Sequence, residues 1–482
     1  MSRSRSFAHS VAWNLAGAGV PLAFAIFAIP RLLQGYGSER FGFLAIAWSL
    51  IGYFSIFDLG IGRALTKLVA EKLAVGESGG VPDIARTALV AMFAFGCLAC
   101  LVLMGLAPSL AGILKLGPQI YRESVTSIRI LALGVPFVIT SAGLVGLLEA
   151  HGRFRSINTI RLTMGLMNFA APLVVLAWSQ SLVPATIALA TCRAVTTIFY
   201  LWTVKQLQVG ERAGQFRSDH LRTLLGFGGW ITLSNLISPI MAQLDKLIIG
   251  SVIALTLLPL YAIPSDVVNR LSFAPIAMIA VFFPSFASRW AAGDEKGISS
   301  LYGRTSRAMI AAIYPAALTI YTLAPEGLSL WMGKEFADQS SSLLRCLCLG
   351  LVANTAARVP HALLQAIGKP STTAMIHLLE LPIYAVGLLV LLSNNGILGA
   401  SMAWTGRMIL DLVLLTVCAA AAVPGIRTKA ILALATVVTG GALMHLPSLL
   451  PELWLRLLMC ALISLVGFAS ALRILLRIRH NE

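Results

Sequence analysis

What most constrains this chain is a succession of apolar runs, each approaching the roughly 20 residues that cross a bilayer as a helix. Taking runs bounded by charge, Pro or Gly gives fourteen candidate spans, near residues 9–30, 41–62, 87–107, 126–149, 161–178, 182–204, 223–249, 254–286, 307–325, 342–367, 371–393, 397–419, 430–446 and 453–472. Stretches such as Ala94 to Leu106 and Ala430 to Leu443 lack the alternation, in pieces of about 10 residues, that a transmembrane β-barrel needs. Composition agrees: of 482 residues, 58% are hydrophobic and 12% charged, against roughly 25% charged in an ordinary soluble domain. Mean hydropathy is +0.85. The chain is predicted to be an all-α polytopic membrane protein, which excludes the soluble classes. No connection is longer than roughly 20 residues, so there is no room for a soluble catalytic or receptor domain. Function must reside among the helices.

Lys and Arg number 36 against 20 Asp and Glu, a net charge of +16. An excess of this kind can mark a nucleic-acid binder, but here the basic residues lie between the apolar runs. With the N-terminus in the cytoplasm, 23 of them fall on inner segments and 5 on outer ones. The positive-inside rule therefore predicts cytoplasmic termini and an even number of spans, with membrane lipids rather than nucleic acid as the partner of the charge. Arg3 and Arg5 ahead of a long apolar run give the start a signal-like look, but the run ends at Pro30-Arg31 without a small-residue cleavage site and reads as an uncleaved first span. The seven cysteines all sit in apolar stretches, where a thiol acts as a small hydrophobe, so neither a disulfide framework nor a Cys97/Cys100 metal pair is expected.

An internal repeat organises the spans. Arg129 to Arg153 realigns without a gap onto Arg345 to Lys369, an offset of 216 residues with 8 of 25 positions identical, among them Arg129/Arg345, Gly134/Gly350 and Gly152/Gly368. That offset covers six predicted spans, and an even number gives both copies the same orientation. Parallel repeats of this kind occur in secondary transporters, whose halves rock about a substrate site between them. The expected organisation is an N-lobe over 1–208, a C-lobe over 209–423 and an additional pair of helices over 424–482.

Charge within a span costs at least about 2.5–3.5 kcal/mol at mid-bilayer, so such residues face a partner or a wet cavity. Asp58 closes the second span; Asp245 and Lys246 lie toward one end of the seventh; Asp266 and Arg270 lie in the eighth. Arg193, Arg358 and Glu380 lie in the sixth, tenth and eleventh, and Arg407 with Asp411 in the twelfth. Asp266/Arg270 and Arg407/Asp411 are four residues apart, within salt-bridge reach on one helical face, a spacing that equally suits purely structural pairs. Arg193, Arg358 and Glu380 have no such partner on their own spans and are the better candidates for lining a lumen. Arginines there suit a phosphate-bearing anion, which guanidinium binds bidentately. Carboxylates there can bind a proton or sodium ion. His361 and His377 read as polar packing residues rather than metal ligands, because no Cys, Asp or Glu is read at ligand spacing beside them, and no cofactor or metal is expected.

Several segments resemble the polysaccharide repeat-unit flippases of the multidrug/oligosaccharidyl-lipid/polysaccharide exporter superfamily. They are Gly35 to Lys67 with its Phe57-Asp58-Leu59-Gly60-Ile61-Gly62 core, the LLEAHGR and LLQAIGK helix ends, the Asp245 to Gly250 run and the APEGLSLWMG segment ending at Gly333. The resemblance implies two six-helix bundles with two extra helices. It also implies translocation of polyprenyl-pyrophosphate-linked oligosaccharide across a bacterial cytoplasmic membrane, for lipopolysaccharide or exopolysaccharide assembly, with a polysaccharide polymerase as a pathway partner. In these terms Arg270, Arg358, Arg193 and Arg407 would bind substrate, and Asp58, Asp245, Asp266, Glu380 and Asp411 would couple an ion gradient to the motion. Such a protein is a transporter, not an enzyme. The alternatives are a multidrug or organic-cation exporter of the same superfamily, which would want acidic and aromatic lining, and a membrane glycan polymerase.

Overall fold

Prolines and glycines, more than changes in hydropathy, divide this chain into helices. The computed structural model describes residues 2–53, 60–74, 78–114, 116–207, 214–224 and 244–479, and all regular structure among them is helical. Gly37, at φ +77°, interrupts the first helical run, α1 (Ser2–Tyr53), and so separates the first two predicted spans. The run is followed by α2 (Ile61–Ala74), α3 (Val81–Ile113), α4 (Pro118–Ala150), α5 (Phe154–Val175) and α6 (Leu182–Lys205). Proline stands in the first turn of α3 and α4, where its missing N–H costs nothing. Ser181 caps α6 by accepting the Val183 N–H.

From residue 258 onward the helices are α7 (Leu258–Leu271), α8 (Phe273–Ala291), α9 (Glu295–Thr322), α10 (Ala324–Met332), α11 (Lys334–Ala366), α12 (Pro370–Asn395), α13 (Ile397–Ala422), α14 (Arg427–Leu443), α15 (His445–Ser448) and α16 (Leu453–Arg479). The eighth predicted span is thus two helices meeting at Ser272. The ninth continues beyond Thr322 into α10 through a 68° bend. Most of the seventh lies outside the described residues. Seven helices among the described residues are long and apolar enough to cross a membrane, eight if the bent α9–α10 pair counts as one span.

Two compact units result, Met1–Thr256 and Leu257–Glu482. In the first, α4 packs on α3, α6 and α2; in the second, α11 packs on α13, α9, α10, α7 and α8. The repeat explains this correspondence, since its two copies are the C-terminal portions of α4 and α11, each 33 residues long. Their most apolar windows are 61% and 67% buried, against 28% for α3, α6 and α12, so each repeat helix is the axis of its unit. The outer helices turn Leu101, Ile198, Val386 and Val438 outward, on faces a bilayer solvates.

Both copies also end alike. Gly152 (φ +68°) donates its N–H to Glu149 O and Arg153 donates to Leu148 O; Gly368 (φ +77°) donates to Gln365 O and Lys369 to Leu364 O. This pair of bonds, closing carbonyls that a helix end leaves open, requires a left-handed residue that glycine adopts without a Cβ penalty.

Candidate functional site

Three polar stripes converge in the second unit. On α11, Arg358, His361 and Gln365 follow at intervals of three and four residues; on α12, His377, Glu380 and Tyr384 do the same; on α13, Arg407 and Asp411 are four apart. Each interval keeps its residues on one helical face. Because α12 packs along α13 and touches α11, the stripes meet. Arg407 Nε lies 3.9 Å from Glu380 Oε2, and its guanidinium carbon stands 5.2 Å from the centre of the Tyr384 ring. His377 Nε2 lies 3.4 Å from Asp411 Oδ1, and the His361 and His377 rings stack at 5.8 Å with 13° between their planes. His361 Nε2 is 3.4 Å from Gln365 Nε2. Arg358 lies within electrostatic reach of Asp411.

Glu380 is 0% exposed, and neither of its oxygens has a hydrogen-bond donor among the described residues. Its oxygen, an Asp411 oxygen and a His377 nitrogen all lie within 4.8 Å of one another, a spacing a single cation could bridge. The histidines therefore do have carboxylates at ligand spacing, contrary to expectation. Glu380 follows His377 by three residues, and Asp411 arrives from the next helix. The fold adds partners that spacing along α13 does not show: Glu380 against Arg407 and His377 against Asp411, both from α12.

The other predicted residues are dispersed. Arg193 on α6 donates through Nη2 to Asn168 Oδ1 of α5 at 2.7 Å, while its buried Nε has no acceptor among the described residues. One turn on, Thr197 donates to Phe137 O at 3.1 Å and pairs with Ser141 Oγ at 2.9 Å, so a polar seam joins α4, α5 and α6 in the first unit. Asp245 and Lys246, 3% and 4% exposed, are buried side by side, and the Asp245 carboxylate accepts the Lys246 backbone N–H at 2.7 Å. Asp266 and Arg270 sit on α7, both partly buried. Asp58 lies outside the described residues. Sequence reasoning missed His377 and Tyr384 as members of the cluster, although the 377/380/384 spacing was the signal that could have found them.

A family model described as polysaccharide biosynthesis protein matches residues 29–341. The chain belongs to this family. Within it, the chain is similar to a Shigella flexneri protein described as an O-antigen transporter, 26% identical over 403 residues, or 84% of this chain and 95% of the relative. Among solved structures, the lipid II flippase MurJ in an inward closed conformation matches with a TM-score of 0.70 at 14% identity, covering 97% of this chain and 100% of the other. A multidrug resistance MATE family transporter of the MOP superfamily, in an inward-facing conformation, also matches at 0.70, with 15% identity over 89% of this chain and 96% of that one. The polysaccharide biosynthesis chain thus has the all-α fold of these membrane transporters.

Proposed function

We propose that this chain is a flippase that carries polyprenyl-pyrophosphate-linked oligosaccharide repeat units across the bacterial cytoplasmic membrane for surface polysaccharide assembly. One observation carries the reading: a chain of the polysaccharide biosynthesis family is built throughout as a polytopic transporter, over the full length of a lipid II flippase structure. The O-antigen transporter description of the Shigella relative supports it. Physically, pyrophosphate and sugar hydroxyls enter hydrocarbon only at a large desolvation cost, whereas the prenyl chain can remain in lipid. A protein lined by buried cations and open to the bilayer meets both needs without chemistry, which makes it a transporter rather than an enzyme.

In this reading the repeat divides the chain into an N-lobe (1–208), a C-lobe (209–423) and an appended pair (424–482), with both termini in the cytoplasm. The compact units follow contact within the folded chain, while the lobes follow the repeat. Arg270, Arg358, Arg193 and Arg407 supply positive charge toward the pyrophosphate. Asp58, Asp245, Asp266, Glu380 and Asp411 supply carboxylates for a coupling cation, proton or sodium. A polysaccharide polymerase consumes the product on the far side.

Depletion in the native cell, with lipid-linked sugars quantified and their accessibility from outside measured, tests the reading. Completed repeat units should accumulate in an inaccessible pool and clear on re-expression. Alanine at Arg193, Arg270 and Arg358 together should reproduce that accumulation at normal expression; intact transport would reject the cationic path. A second reading, organic-cation export, has the MATE-type fold behind it; an unchanged lipid-linked pool with raised drug sensitivity would favour it.

A further inference from the structure

Four cations gather near the starts of α9 and α14. The two helices run side by side in parallel, and their contacts keep one offset. Ser299 Oγ donates to Gly425 O at 2.6 Å, Gly303 faces Lys429, and the Tyr314 hydroxyl donates to Gly440 O at 2.9 Å, each pair 126 residues apart. Gly303 makes the approach close, since a Cβ there would stand 3.2 Å from Lys429 Cδ and 3.4 Å from its Cγ. The Lys429 stem therefore lies along α9, while the residue as a whole stays exposed. Arg307, one turn on from Gly303, is also exposed and donates through Nε to Gly303 O at 3.1 Å. Arg304 stands three residues before it on the same helical face, half-buried and with no acceptor for its Nε among the described residues. Arg427, exposed, opens α14.

Among the described residues, none of these four cations is ion-paired to a carboxylate; the nearby Asp294 is taken by Arg289, and Glu295 lies two turns before Gly303. Like charges held on adjacent helices repel, a cost that a bound anion would remove. Past the cations, α14 turns Ile431 and Val438 outward, 67% and 71% exposed. They follow Arg427 by four and eleven residues and so share its face. Cations at the start of an exposed apolar stripe complement an amphiphile with an anionic head.

We propose that the α9–α14 junction binds the phosphodiester headgroup of an anionic membrane lipid. Arg304 and Arg307 from α9 and Arg427 and Lys429 from α14 hold the phosphate, and an acyl chain runs along Ile431 and Val438. Guanidinium offers phosphate a bidentate fork, and basic pockets between membrane helices are suited to such headgroups. Because it touches both helices, the lipid pins α14 to the bundle. A net negative headgroup fits better than a zwitterionic one, since four cations repel an ammonium or choline group. Free phosphate would meet the guanidiniums but leave the apolar stripe unused. With cytoplasmic termini the site faces the inner leaflet; binding itself requires neither that orientation nor the flippase reading.

Native mass spectrometry of lipid retained by the full-length protein, with thermal unfolding in phosphatidylcholine nanodiscs with and without phosphatidylglycerol, tests the proposal. Wild type should retain phosphatidylglycerol in preference to phosphatidylcholine and melt higher in its presence. Arg427→Gln combined with Lys429→Gln, both at exposed positions, should weaken that retention by about fivefold for each basic residue removed. The same variant should lose the thermal shift yet melt no lower than wild type in pure phosphatidylcholine, because repulsion is relieved. If it fails to fold, Arg307→Gln decides by the same comparison. Arg153→Gln combined with Lys369→Gln removes basic charge at the ends of the repeat helices and should leave retention unchanged. The proposal is overturned if wild type shows no preference, or if the Arg153/Lys369 variant loses as much as the Arg427/Lys429 variant. A midpoint lowered equally in both lipids would overturn it as the mark of a purely structural role. Sodium phosphate reproducing the shift in phosphatidylcholine would overturn it in favour of a free anion.

Discussion

Arg407 and Glu380 face each other with side chains 14% and 0% exposed, so removing one leaves the other's charge in a dry site. Breaking a buried pair from one side costs about 3–5 kcal/mol, while replacing both partners by neutral groups of similar volume is far milder. Arg407→Ala is therefore expected to lower the thermal midpoint sharply, and Arg407→Met combined with Glu380→Gln to recover most of the loss; a double-mutant cycle by thermal unfolding in nanodiscs checks the coupling. Packing gives a second contrast. A Cβ at Gly350 would come within 2.5 Å of Trp404 Cζ3 and 2.9 Å of Thr405 Oγ1, whereas one at the equivalent Gly134 meets Ala190 Cα at 3.9 Å. Gly350→Ala should cost about 1–3 kcal/mol as an overpacking substitution, with Gly134→Ala nearly neutral by the same measurement. The sequence showed both glycines to be equivalent. The large aromatic ring opposite Gly350 comes from a different helix, which no spacing within one helix reveals.

At the scale of the element, the matching ends of α4 and α11 show what a repeat preserves. Both place a glycine at positive φ, so an L-residue there pays about 1–2 kcal/mol for the left-handed backbone. Gly152→Ala and Gly368→Ala are expected to lower stability by similar amounts, and a comparison of their thermal midpoints checks the equivalence. These ends were legible because the Gly-basic pair is a local signal. Pro259, Pro264, Pro275 and Pro284 mark the eighth predicted span as bent without placing its break at Ser272, and the 68° bend between α9 and α10 was not legible. Proline inside a membrane helix is compatible with an unbroken helix, as Pro136 and Pro172 within α4 and α5 illustrate.

At the scale of the molecule, the C-terminal helices α14, α15 and α16 are bonded to the rest of the second unit. Tyr314 donates to Gly440 O at 2.9 Å, the Tyr321 hydroxyl meets His445 Nδ1 at 2.7 Å, and Arg456 bridges Glu326 at 2.9 Å. Arg345, the repeat arginine, completes the chain by donating to Tyr321 O at 3.1 Å. Deleting residues 424–482 should uncover the α9 face that carries these tyrosines and lower the thermal midpoint of the remaining chain; an unchanged midpoint would make the pair an ornament of the fold. Cysteine-accessibility labelling from each side of the membrane, at positions 3 and 479, should place both termini in the cytoplasm.

The membrane class, the all-α fold, the repeat and the identity of the in-span charges were all determined by sequence, because each depends on run length, composition or spacing along one helix. The partners of those charges were decided only by tertiary structure. Arg407 and Asp411 lie four residues apart on α13, and only the fold brings Glu380 and His377 of α12 against them. Helical periodicity specifies which residues share a face; which face of which helix it meets is set by packing across 27 and 34 residues of chain. The physical reason is that an ion pair in an apolar interior is chosen by distance and desolvation after the helices associate, not by proximity in sequence.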